Sequence, residues 1–151
     1  TKPDYAEPHN NLGVILSRQG KTEVALHHFR EALRIKPDYA EAYGNLGNVL
    51  AEQRKFPEAV QYYSKALQLK PDYVNAHYNL GVLLSQQGKI REAIPHFVQV
   101  LEIKPHFAEA RFSLGVAYWI TGNRDLALKE YEALKKLNPA KAEALSRRMK
   151  A

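Results

Sequence analysis

Polar and apolar residues alternate along this chain with the period of a helix rather than a strand. In the first such stretch His9, Leu12, Gly13 and Leu16 are spaced 0, 3, 4 and 7, which puts them on one helical face and predicts that this face is core. The opposite stripe, Glu7, Asn10, Asn11, Val14, Ser17 and Arg18, is spaced 0, 3, 4, 7, 10 and 11 and is mostly polar. The pattern then restarts. Proline recurs at Pro3, Pro37, Pro71, Pro105 and Pro139, always 34 residues apart, and no insertion breaks the interval. Leu-Gly pairs keep the same period at Leu12-Gly13, Leu46-Gly47, Leu80-Gly81 and Leu114-Gly115. So do Ala25, Ala59, Ala93 and Ala127, and the aromatics Phe29, Tyr63, Phe97 and Tyr131.

Each unit is predicted to be two antiparallel helices. Asp4 with Glu7, and Asp38 with Glu41, have the spacing of a capping box and mark first-helix starts. Gly20, Gly88 and Gly122 fall where that helix ends in a left-handed turn, and Arg54 occupies the same column, where it is expected to be strained. The proline column stops the second helix, because proline has no N–H to continue the ladder. The mid-helix glycines, each twelve residues before an alanine of the second helix, predict a close helix crossing.

Together these columns resemble the tetratricopeptide pattern of an aromatic, Leu-Gly, a large residue, Ala, an aromatic and Pro, over residues 3 to 141. His9, Tyr43, His77 and Arg111 stand in the usual Trp column. The resemblance implies an all-α fold: a right-handed alpha-alpha superhelix, or tetratricopeptide solenoid, of four helix-turn-helix repeats at 6–39, 40–73, 74–107 and 108–141. Residues 142–151 are expected to cap it, with Leu145 and Met149 against the fourth repeat.

In this family the polar stripe of the first helices lines a concave surface that binds protein or peptide ligands. The residues placed there include Asn10, Asn11, Asn45, Asn48, Asn75, Tyr78, Asn79, Val82, Phe112, Val116 and Trp119. Asn11, Asn45 and Asn79 form one column, and each side chain offers a donor and an acceptor to an extended peptide backbone. This ladder is similar to the one in the superhelix of O-linked N-acetylglucosamine transferases. Tyr78, Val82, Phe112, Val116 and Trp119 are expected to form an apolar patch, with burial of Trp119 against the terminal helix as the alternative. Chaperone-tail binders use a clamp lysine; Asn10, Gly44, Tyr78 and Phe112 fill that column here.

Charge changes little in this picture. The formal net charge is +6, but the cations are scattered, with Lys36, Lys70 and Lys104 at helix ends, so nucleic-acid binding is not expected. Cysteine is absent, no stretch approaches the roughly 20 apolar residues of a membrane span, and the start lacks a signal-peptide layout. The pair His27-His28 is a poor chelate because adjacent helical residues diverge by about 100°. No catalytic, phosphate-loop or cofactor motif occurs, so neither enzymatic activity nor a cofactor is expected. The chain opens at a proline that should end an earlier repeat, which suggests an excerpt from a longer protein and an uncovered first helix. Head-to-tail self-assembly and service as the substrate-selecting arm of an enzyme such as a glycosyltransferase are the alternative functions.

Overall fold

A computed structural model describes residues 4–151, and every helix or strand assigned among them is a helix. In chain order these are α1 (Ala6–Arg18), α2 (Thr22–Ile35), α3 (Ala40–Glu52), α4 (Phe56–Leu69), α5 (Val74–Gln86), α6 (Ile90–Ile103), α7 (Ala108–Ile120), α8 (Arg124–Leu137) and α9 (Pro139–Lys150). Their pairing yields the all-α repeat fold that the 34-residue period predicts. The chain divides into two units, the first ending at Ala76 and the second beginning at His77, and each is described by itself.

In the first unit α1 packs on α2, α3 on α4, and α2 on α3. Ala25, Leu26 and Phe29 of the first repeat meet Leu46 and Val49 of the second, and all five are buried. Burial of a side chain such as Phe29 contributes about 1.5–3 kcal/mol, so this seam holds the hairpins together. It also corrects one expectation. Leu12 and Ile15 occupy the columns of Leu46 and Val49 but are 41 % and 52 % exposed, because a helical position on that edge is buried only by the preceding hairpin.

In the second unit α7 packs against α6, α8 and α9. Leu134, Ala142 and Leu145 form a buried cluster, with Phe112, Val116 and Met149 packed on it. Helix α9 opens at Pro139, three residues earlier than the cap at 142–151 expected from the sequence. Asn138 accepts a hydrogen bond from the Lys141 N–H (3.1 Å), and proline suits the first helical position.

The turns inside the repeats follow one design. Gly20, Gly88 and Gly122 have φ of 74°, 76° and 84°, and Arg54 adopts the same left-handed conformation at 61°. In the first repeat the Gly20 N–H reaches Ser17 O (2.9 Å) and the Lys21 N–H reaches Leu16 O (2.9 Å), closing the helix end. The helix starts differ from expectation. Asp4 accepts from the Ala6 N–H (2.9 Å), but the cap position is Tyr5 and makes no side-chain bond. At α3 the cap is Tyr39, and the Glu41 carboxylate takes the Lys70 ammonium (2.9 Å), a charged partner stronger than a backbone N–H.

The mid-helix glycine makes room for a ring rather than for the alanine twelve residues on. A Cβ on Gly47 would lie 2.7 Å from Tyr63 Cε1. In the fourth repeat the occupant changes, and Leu145 of α9 fills the space over Gly115.

Candidate functional site

The face expected to meet a ligand is built from the first helix of each repeat. In the first unit its amides are largely engaged by protein. Asn10 is only 6 % exposed; its Oδ1 accepts from Asn45 Nδ2 (2.9 Å), and its side chain also bonds the Tyr39 hydroxyl. Asn48 Oδ1 accepts from the Tyr63 hydroxyl (2.8 Å), whose pKa is pushed well above the usual phenol value by burial, which keeps it a donor. Asn45 and Asn48 are half-buried, whereas Asn11 and Asn75 are exposed. The amides therefore split into interhelical struts, Asn10 with Asn45 and Asn48 with Tyr63, and solvent-facing groups.

In the second unit a pocket of about 330 Å³ opens among α5, α6, α7 and α9. Val82, Phe112 and Val116, three residues of the expected patch, line it together with Ile90, Ile120 and Arg148. Tyr78 and Trp119 are not part of that wall. Tyr78 lies 5.0 Å from the Phe107 ring, centroid to centroid, and bonds the Ser113 side chain. Trp119 is half-buried, and the Arg124 guanidinium at the start of α8 lies 3.7 Å from its ring centroid. Asn79 is half-buried on α5.

The partners of a second set of residues were not read from the sequence. The column of His9, Tyr43, His77 and Arg111 faces a partner nineteen residues later on the second helix of the same repeat. His9 Nδ1 meets His28 Nδ1 at 2.9 Å, and His77 Nδ1 meets His96 Nδ1 at 3.1 Å. Tyr43 stacks on Tyr62 at 6.1 Å, and Arg111 pairs with Glu130 at 2.9 Å. Burial, followed by the neighbouring histidines, lowers the pKa of His28 and His96; Glu31 opposes the shift at His28. No cluster of three or more candidate metal ligands occurs among the described residues. The signal that would have found these pairs is the repeat period combined with the nineteen-residue offset.

Family models match these repeats. A TPR repeat model matches residues 15–54 and 47–88, and two tetratricopeptide repeat models match residues 74–107 and 108–141, so the matches tile the chain from 15 to 141. The chain belongs to the tetratricopeptide repeat family. Among solved TPR structures it is similar to YrrB, described as a TPR protein with an unusual peptide-binding site, at 29 % identity and TM-score 0.83, covering 90 % of this chain and 70 % of that one. It is similar to MamA at 26 % identity and TM-score 0.78, covering 97 % of this chain and 81 % of that one. It also matches an O-GlcNAc transferase of Thermobaculum terrenum at 27 % identity and TM-score 0.72, over 78 % of this chain but 23 % of that one. No curated protein matches the sequence. TPR repeats commonly serve as protein-interaction scaffolds, and no helix among the described residues is long and apolar enough to cross a membrane.

Proposed function

We propose that this TPR array binds an extended peptide segment of a partner protein on its first-helix faces. One observation carries the reading: the pocket lined by Val82, Phe112 and Val116 is an open, largely apolar concavity whose walls come from the first-helix face that the family's sequence pattern assigns to ligand contact. In the first unit the exposed Asn11 offers an amide that can meet a peptide backbone, and the relative YrrB is described by its peptide-binding site. Panning a displayed peptide library on the protein tests the proposal, with Asn11→Ala, a change at an exposed amide outside the interhelical struts, as comparison. Enriched peptides that lose affinity for the variant support backbone recognition by this amide. Peptides that bind both equally reject that contact, and a library that enriches nothing rejects the peptide reading.

A second reading is favoured by the exposure of Leu12 (41 %), Ile15 (52 %) and Val24 (48 %) on the first hairpin. We infer that this apolar edge supports head-to-tail self-association, since its column equivalents Leu46 and Val49 are sealed by a preceding hairpin. Sedimentation across a concentration series tests it: a mass that rises in the wild type and stays monomeric in Leu12→Lys/Ile15→Lys supports it, and a constant monomer mass rejects it. A third reading, an arm that presents substrates to an enzyme, draws support from the transferase whose chain the array matches over 23 %. Binding of glycosyltransferase substrate peptides to this chain checks that role.

A further inference from the structure

The apolar pocket of the second unit shares a wall with a second depression. Ile90 and Ile120 line both, and beyond them a concavity of about 340 Å³ is bordered by Lys89, Arg91, Glu92 and Thr121. Ile120 is 61 % exposed, an unusual position for isoleucine inside a helical array, and with Ile90 it borders both hollows. The charges around the pair are unbalanced. Lys89 and Arg91 flank the second hollow and Arg148 the first, against the single carboxylate of Glu92. Among the described residues none of these three cations is held in an ion pair.

We propose that these adjoining hollows recognise a short peptide motif in which an aliphatic residue is followed, two positions later, by aspartate or glutamate. The reading rests on the peptide-binding function proposed above and names its ligand class. Side chains two apart on an extended chain point the same way and lie about 6.5–7 Å from one another, so both can face hollows that share the Ile90 and Ile120 wall. The aliphatic group enters the first, whose Val82, Phe112 and Val116 walls reward burial. The carboxylate enters the second, where two unpaired cations replace the water it leaves. A basic residue at that position meets like charge, so the hollow discriminates by repulsion as well as by attraction.

Three fluorescein-labelled ten-residue probes test this, identical Gly/Ser peptides that carry Leu-Ser-Glu, Leu-Ser-Lys or Ser-Ser-Glu at the centre. Polarisation titrations should show the Leu-Ser-Glu probe binding at least about tenfold more tightly than either other probe. In Lys89→Glu/Arg91→Glu, two exposed positions whose change spares the core, the order of Leu-Ser-Glu and Leu-Ser-Lys should invert. Ile120→Asp should weaken the Leu-Ser-Glu probe by a similar factor, with circular dichroism confirming that the helices persist. Equal affinity for the three probes, no binding of Leu-Ser-Glu, or an order that survives the charge reversal overturns the motif. The library screen judges peptide binding separately: peptides that lack the motif yet depend on Asn11 would leave that function standing while this assignment falls.

Discussion

His77 Nδ1 and His96 Nδ1 lie 3.1 Å apart across α5 and α6, a distance that requires one nitrogen to donate and the other to accept. The accepting ring must be neutral at that atom, so the pair cannot hold two charged imidazoliums without breaking. His9 and His28 repeat the arrangement at 2.9 Å, with His27 and Glu31 as the nearby titratable groups. Burial and the neighbouring histidine both move the pKa of His96 below its ordinary value of 6.5. Above that value the folded and unfolded forms are both neutral; below it the unfolded chain takes up protons more readily, and stability falls.

The expected outcome is a urea midpoint that stays level from about pH 8 to about 6.5 and drops between about 6.5 and about 5. Replacing both His77 and His96 by Tyr, the pair that repeat two carries at Tyr43 and Tyr62, should flatten part of that slope. An unchanged slope would refute the histidine assignment.

The Asn10–Asn45 strut makes a prediction about stability rather than binding. Asn45→Ala removes the donor to a nearly buried Asn10 Oδ1 and should cost about 1–3 kcal/mol, measured by denaturant unfolding. Asn11→Ala, one position along from Asn10 and exposed, should stay within about 0.5 kcal/mol of the wild type. Similar losses in both variants would contradict the division of the amides into struts and solvent-facing groups.

Arg54→Gly should stabilise the chain. Its φ of 61° is costly for a residue with a Cβ, and the other three repeats place glycine there. Loss of the guanidinium over the Phe56 ring, 5.6 Å away, offsets some of the gain. A net rise of about 0.5–1 kcal/mol in unfolding free energy is expected, and a fall would show that the cation–ring contact outweighs the backbone cost.

Gly47→Leu should destabilise by about 1–3 kcal/mol or more, because even a Cβ would lie 2.7 Å from the Tyr63 ring. Tyr63→Ala carries its own loss as a buried, hydrogen-bonded ring, but the double variant Gly47→Leu/Tyr63→Ala should lose less than the sum of the two single losses because the space is vacated. Thermal unfolding of the three variants side by side tests the contact, and additive losses would place the strain elsewhere.

Much of the fold was legible because it is periodic. The columns of proline, alanine and aromatic residues recur without insertion, so hairpin order, turn positions and the left-handed Arg54 could be read from spacing. The candidate site was legible only in part. Spacing puts Asn10 and Asn45 on the first-helix face, but the bond between them depends on how closely neighbouring helices approach, which no one-dimensional pattern records. Val82, Phe112 and Val116 were found because they share that face. Ile120 stands on the same first-helix stripe, whereas Ile90 and Arg148 were not found, since they come from a second helix and the terminal helix. The contact of Trp119 with Arg124, which reaches it from the start of the next helix, was not read from the spacing.

The nineteen-residue pairs all close within one hairpin: imidazole with imidazole, phenol with phenol, guanidinium with carboxylate. A genetic crossover that moves a whole hairpin carries both partners along, whereas one that falls between its two helices sets His77 against Glu130 or Arg111 against Tyr62. Chimaeras cut at the proline column should therefore assemble more readily than those cut at the glycine turn, and these two joints mark where such an array tolerates being lengthened or shuffled.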